Sequence, residues 1–242
     1  MEAASEAHNE GRPVLIDIHQ GNGGSCKGPG MWSVPLVYMQ HLPWADRTWF
    51  GEGYDYWGQS AEWWLLETSG IPYGLTGDMI REGSVGPGGA ESPTACPDPN
   101  RWLGLVFGMT SRISGSYITP DDPRAIEVLP IYQLWDEYGF AGATMLGWWD
   151  DDVPIAVSGD PSNQVKATVW LHANNGSAVV AVANFNAQNV SIALSLRPGW
   201  TAASSALVAP AVQEFQEAGT FALGTPFPIE AKRGKVLTLT FM

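Results

Sequence analysis

The sequence predicts an α/β fold: a partial (β/α)8 (TIM-type) barrel in residues 1–156, followed by a small antiparallel β-sandwich in residues 157–242. Short apolar runs alternate with helical patterns in the first part, whereas strand-like runs without helices fill the second. Composition changes at the same place. Residues up to Ala156 include 21 acidic and 7 basic residues and ten of the twelve Trp, and the remainder has 4 acidic and 5 basic residues. Such a shift indicates two units of different kind.

The composition of the whole chain excludes several classes of protein. A hydrophobic share of 45% supports a packed core and excludes a disordered chain. No apolar run approaches the roughly 20 residues that span a bilayer, so a membrane protein is not predicted. The net charge of −13 disfavours nucleic acid as a partner. The two cysteines, Cys26 and Cys96, form at most one disulfide and cannot build a four-cysteine zinc site.

The elements before residue 156 follow the order of a (β/α) repeat. Residues 1–10 lack the features of a signal peptide and are typical of a short polar helix that Gly11 ends. The apolar run Val14 to Ile18 then predicts a buried strand, so the chain is expected to enter a larger architecture midway. Further strands are predicted at residues 47–50, 71–75 and 143–148, and helices at residues 31–42, 60–67 (with Ser60 as N-cap), 102–111 and 125–138.

The part after Pro154 has the pattern of an antiparallel β-domain. β-Branched or alternating runs cover residues 165–172, 177–184, 190–196 and 235–242. Asn175-Gly176 lies between two of these runs and predicts a tight hairpin turn. Several short strands with no intervening helix favour a sandwich.

Three predicted strand ends carry polar side chains: Asp17-x-His19, Gly51-Glu52-Gly53 and the triplet that begins at Asp150. In a barrel these ends face the active site. Cleavage of a glycosidic bond needs two carboxyl groups, and aromatic rings offer flat platforms for sugar rings. We predict Glu52 as general acid/base and Asp17 as the second acid or a sugar-hydroxyl binder. The predicted substrate-binding residues are His19, Trp49, Tyr54, Trp148, Trp149 and Asp150.

Each of these residues also has a structural interpretation. Glu52 between two glycines is compatible with a tight turn, and Asp17 with a structural acid that holds His19. The acidic triplet at Asp150 is typical of a solvated loop, and tryptophans pack protein cores generally. Asp17 and His19 could ligate a metal, but no further ligand spacing supports such a site, so neither a metal nor a cofactor is predicted.

Six segments occur in one order along the chain: LIDIHQGN, WFGEGYDY, WWLLETSGIPYGL, LGLVFGMTSR, LWDEYGF and MLGWWDDDVPI. From about Arg12 to Pro154 the sequence resembles the C-terminal part of a family of large glycoside-hydrolase-like (β/α) barrel proteins that carry a C-terminal all-β domain. The resemblance implies a retaining or inverting glycosidase that acts on a poly- or oligosaccharide through strand-end acids, here Glu52 and Asp17. The location stays open, and the resemblance permits an extracellular or secretory one. The resemblance also implies a missing N-terminal barrel half, so self-association is expected.

Two other functions remain open at this point. One is a non-catalytic carbohydrate-binding protein that uses the same aromatic cleft, and the other is a truncated product without activity. The sequons at Asn175 and Asn189 permit secretion and decide nothing further.

Overall fold

A computed structural model describes residues 17–19, 47–50, 60–69, 76–80, 103–108, 110–112, 133–212 and 216–242. This part of the chain is mostly β-structure, with thirteen strands in three sheets. Its helical elements are short, and within these ranges no helix is long and apolar enough to cross a membrane.

The first sheet is parallel and has four strands. They are β1 (Asp17–His19), β2 (Arg47–Phe50), β3 (Thr76–Ile80) and β4 (Thr110–Arg112), and their spatial order equals their order along the chain. The strand predicted at 47–50 is confirmed, and β1 overlaps the strand predicted at 14–18. β3 begins directly after the segment predicted as a strand, 71–75, which itself lies outside the described residues. All four strands run the same way, so their carboxyl ends lie along one edge of the sheet.

Helix α1 (Ala61–Ser69) has the start that the sequence predicts. The backbone N–H of Trp63 donates to Ser60 Oγ at 3.1 Å, which confirms Ser60 as the N-cap. Ala61 and Trp64, three residues apart and so on one face of the helix, are fully buried. The helix therefore lies with that face against the core.

The prediction of a helix at 102–111 is wrong in its second half, where a turn and strand β4 form instead. Gly104–Phe107 form a 3-10 helix that ends at Gly108, whose φ of 75° is left-handed. The Gly108 N–H donates to Gly104 O and Leu105 O, closing the turn before β4 begins at Thr110. Of the helix predicted at 125–138, residues 133–138 are described and are helical.

Two antiparallel sheets follow. The larger has the order β11-β10-β13-β8-β7-β5, and the smaller has the order β12-β9-β6. Their strands are β5 (Thr144–Leu146), β6 (Ile155–Ser158), β7 (Val165–Leu171), β8 (Ser177–Asn184), β9 (Val190–Leu196), β10 (Ala206–Ala209), β11 (Gly219–Ala222), β12 (Phe227–Ile229) and β13 (Gly234–Thr240). The four longest match the predicted strands closely, and the Asn175-Gly176 turn joins β7 to β8 with Gly176 at φ 69°.

Strand β8 is buried on both of its faces. Ala178, Val180 and Val182 belong to a hydrophobic cluster shared with the smaller sheet. The alternate residues Val179 and Ala181 belong to a second cluster, which includes Ala61 and Trp64 of α1 and the apolar side chains Leu103, Leu105, Val106 and Phe107. The larger sheet is thus a middle layer between the smaller sheet on one side and α1 with the 3-10 helix on the other.

The predicted strand at 143–148 forms, but in a different sheet from the one expected. β5 pairs antiparallel with β7, with Thr144 opposite Leu171, and so extends the larger sheet rather than the parallel one. The predicted boundary between Ala156 and Val157 falls inside β6, which pairs with β9 along its whole length. The change of composition therefore does not coincide with the change of sheet.

Candidate functional site

Of the two predicted catalytic residues the structure describes one, Asp17, which is the first residue of β1. Asp17 and His19 lie in β1, and His19 is in register with Trp49 of β2. Glu52 and Tyr54 lie outside the described residues. Neighbouring strands lie about 4.8 Å apart, so His19 and Trp49 are neighbours near the carboxyl ends of β1 and β2. The roles assigned to these residues stay predictions.

The register of the sheet adds a further acid to this region. Asp78 of β3 is opposite Trp49, which is opposite His19, so the three occupy one row across three strands. The sequence predicts the third strand at 71–75 and gives Asp78 no role. Its signal was an acid within the short strand TGDMI, next to the apolar pair Met79 and Ile80.

Trp148, Trp149 and Asp150 lie in a turn that follows β5. The Asp150 N–H donates to Gly147 O at 2.8 Å, and Asp150 Oδ2 accepts from the Gly147 N–H at 2.7 Å. Asp150 therefore closes its own turn. The Trp148 N–H donates to Thr168 Oγ1 at 3.2 Å, and the Thr168 hydroxyl donates to Val106 O at 2.6 Å, so the turn is tied to β7 and to the 3-10 helix.

The two tryptophans pack on Phe107. Trp149 stacks on its ring with centroids 6.0 Å apart and an angle of 12° between the planes, and remains 39% exposed. Trp148 meets the same ring edge-on at 6.3 Å. Phe107 precedes the first residue of β4, so this aromatic group lies where the strand begins, whereas His19 and Trp49 lie at or near strand ends. The structure places the predicted substrate-binding residues in two locations.

A polar junction joins helix α1 to strand β7. Gln164 Oε1 accepts from the Ala61 N–H at 2.9 Å, and Gln164 Nε2 donates to Glu62 Oε2 at 2.8 Å. Lys166 Nζ lies 2.8 Å from Glu62 Oε1 and 4.4 Å from the centroid of Trp148, in a cation–π contact. Burial by itself raises the pKa of Glu62, but the hydrogen bonds from Gln164 and Lys166 outweigh it and lower the pKa from 4.5 to about 2.

Beside this junction a cleft of about 270 Å³ opens between β6 and β7. Its polar lining consists of Asn163, Lys166 and Arg197. The remaining lining residues are Trp148, Val153, Ile155, Ala156, Val157, Val165 and Ala167. Among the described residues, no group of three or more His, Cys, Asp or Glu side chains could hold a metal ion.

Comparison with known families places both parts of the chain in one family. Residues 5–114 match the TIM-barrel domain of glycoside hydrolase 123, and residues 127–240 match its C-terminal domain. The chain belongs to the glycoside hydrolase 123 family. The two matched ranges agree with the division of the described strands, since β1 to β4 lie in the first range and β5 to β13 in the second.

Comparison with solved structures finds similarity at low sequence identity. The noncanonic maltogenic α-amylase AmyB from Thermotoga neapolitana is 13% identical with a TM-score of 0.54, and the match covers 99% of this chain and 58% of that chain. A GH27 β-L-arabinopyranosidase from Geobacillus stearothermophilus is 15% identical with a TM-score of 0.48, over 95% of this chain and 50% of that chain. This glycoside hydrolase 123 chain thus spans little more than half of these proteins. A search of the curated proteins finds no match.

Proposed function

We propose that this glycoside hydrolase 123 chain hydrolyses glycosidic bonds in an oligo- or polysaccharide at the carboxyl edge of the parallel sheet. Glu52 is assigned as general acid/base, and Asp17 as the second acid or a binder of sugar hydroxyls. His19, Trp49 and Tyr54 are proposed to contact the sugar. The observation that carries the proposal is the membership of both parts of the chain in a glycoside hydrolase family.

The arrangement of the parallel strands supports this location. Strands β1 to β4 are consecutive both in the sheet and along the chain, as in a (β/α) barrel, and unlike a doubly wound sheet they do not change direction of winding. We therefore interpret them as part of a (β/α)8 barrel, in which active sites are built from the residues that follow the strands. The two antiparallel sheets are interpreted as a β-sandwich, with the division between the two units ahead of β5.

The chemistry assigns distinct tasks to the two acids. A protonated Glu52 gives its proton to the leaving oxygen, while an ionised Asp17 attacks the anomeric carbon, activates water or holds a hydroxyl group. Gly51 and Gly53 on either side of Glu52 carry no side chains that would keep a sugar at a distance.

The test is the hydrolysis of a panel of aryl glycosides by the full chain, by Glu52→Gln and by a matched control, Glu217→Gln. The control makes the same change at an exposed residue of the antiparallel part. We expect Glu52→Gln to lose most of the rate, on the order of 10²–10⁴-fold, because it removes general acid catalysis. The control should keep the native rate. A Glu52→Gln variant with the native rate would exclude Glu52 as acid/base.

A further inference from the structure

We propose that the cleft between β6 and β7 is a second carbohydrate site, which binds a sugar unit bearing an acidic group such as a carboxylate. That the ligand is a carbohydrate rests on the proposed function. That the ligand is acidic rests on the side chains that line the cleft. It differs from the proposed catalytic edge because it lies on the antiparallel part of the chain.

Most of the hydrogen-bond donors of Arg197 lack an acceptor among the described residues. In the described part of the chain the guanidinium of Arg197 makes one hydrogen bond, from Nη1 to Asp151 O at 3.2 Å, and has no carboxylate partner. Guanidinium has five N–H donors, so most of them remain for a ligand or water. Asn163 adds a side-chain amide at the rim, where its backbone has a left-handed φ of 54°.

The charge of the lining favours an anionic ligand over a neutral one. The cleft is lined by two cations and by no carboxylate. Glu62 neutralises Lys166 through their 2.8 Å contact, whereas no carboxylate of the described residues lies within ion-pair distance of Arg197. Arginine binds carboxylate through two parallel hydrogen bonds, which a single neutral hydroxyl cannot reproduce.

The size and walls of the cleft favour a sugar unit over a small inorganic anion. Its volume of about 270 Å³ is just below the roughly 300–1,000 Å³ of small-molecule sites, and therefore fits about one sugar ring. Val153, Ile155 and Val157 provide apolar walls for the C–H groups of that ring.

The experiment measures binding to the full chain by calorimetry or ligand-observed NMR. The probes are methyl β-glucuronide, methyl β-glucoside and inorganic sulfate, and the variants are Arg197→Gln and a control, Lys235→Gln. The control removes the same charge from β13, away from the cleft lining. We expect the glucuronide to bind at least tenfold more tightly than the glucoside or sulfate. Arg197→Gln should weaken this binding at least tenfold, about 1.4 kcal/mol, and Lys235→Gln less than twofold.

Several results would overturn the inference. Equal binding of glucuronide and glucoside would remove the role of charge, and equal binding of sulfate would show an anion site without sugar recognition. If Arg197→Gln unfolds at the same temperature as the native chain and still binds the glucuronide with native affinity, the site lies elsewhere. No binding of any probe would end the proposal. Arg197→Gln should hydrolyse neutral aryl glycosides at the native rate. The proposed catalytic function is tested separately, by the hydrolysis rate of Glu52→Gln.

Discussion

The junction between α1 and β7 predicts an asymmetric response to the loss of either charge. The side chain of Lys166 is 7% exposed, whereas that of Glu62 is 52% exposed. Glu62→Gln leaves a buried ammonium without its carboxylate. Lys166→Met leaves a half-exposed carboxylate that water can solvate, and the methionine keeps an apolar stem beside Trp148. Removing the acid should therefore destabilise the protein more than removing the base.

The exposures of the two side chains set the magnitude. Losing one partner of a fully buried pair costs about 3–5 kcal/mol, whereas exposed pairs contribute about 0–1 kcal/mol. With one partner buried and the other half exposed, we expect Glu62→Gln to lower the free energy of unfolding by about 2 kcal/mol. Lys166→Met should lower it by less than about 1 kcal/mol. For a chain of this length, 2 kcal/mol corresponds to a fall in Tm of about 4–8 °C.

The assay is urea and thermal unfolding of the native chain, both single variants and the double variant at pH 7. Tryptophan fluorescence reports the transition, because Trp64 and Trp148 lie in or beside this region. Lys235→Met serves as a control for the loss of a lysine. If Lys166→Met destabilises as much as Glu62→Gln, the reasoning from burial is refuted.

The same pair has a defined dependence on pH. Burial raises the pKa of Glu62, but its hydrogen bonds lower the pKa to about 2, below the ordinary 4.5. The stabilisation from the carboxylate is thus complete above about pH 4.5 and is lost as the pH falls toward 2. The difference in stability between the native chain and Glu62→Gln should shrink between pH 5 and pH 3. A difference that grows on acidification would contradict this sign.

Three further predictions concern the antiparallel part. Gly234→Ala should destabilise the protein by about 3 kcal/mol or prevent folding, because the new Cβ would overlap Val182 O. The control Gly219→Ala, whose new Cβ has its nearest contacts at 3.8 Å, should change the midpoint of chemical denaturation little. Asp160→Ala should cost about 1–2 kcal/mol in the same assay, because Asp160 accepts four hydrogen bonds from residues 162–165. Burial raises the pKa of Asp160, but these hydrogen bonds lower the pKa overall. The stabilisation by the Asp160 carboxylate is therefore present above the ordinary pKa of an aspartate and decreases as the pH falls below that value. A fragment of residues 127–242 should bind hydrophobic dyes and aggregate, because it lacks α1 and the 3-10 helix, which share a hydrophobic cluster with Val179 and Ala181 of β8. A monodisperse fragment in sedimentation would contradict this.

Local sequence signals predicted the elements that depend on local physics. The cap at Ser60 and the turn at Asn175-Gly176 follow from hydrogen bonding and backbone preference within a few residues, and both form as expected. The long β-branched runs of β7 to β9 also matched. Short strands such as β10 and β12 escaped prediction because three or four residues carry too little pattern.

Features that depend on contacts between residues distant in the sequence could not be predicted from local patterns. The apolar run before Trp148 predicted a strand, but only its pairing with β7 decides that it extends the antiparallel sheet. Glu62 lies in the helix predicted at 60–67, but no local pattern indicates its contact with Lys166, more than a hundred positions along the chain. Asp78 lies in the row of His19 because β3 comes later in the chain than the strand that the sequence predicts. The sequence alone therefore did not indicate this acid.

The double-sided burial of β8 bears on how such a chain can change over evolutionary time. A β-domain that is attached by a tether can be exchanged between genes by recombination, because its surface suits water wherever it is placed. Here, in the described part of the chain, one face of the sheet packs partly against α1 and the 3-10 helix, so a transplanted copy would bring an unmatched hydrophobic surface into its new host. Productive rearrangements are therefore expected to move the two parts together, and their sequences to vary in concert at this seam.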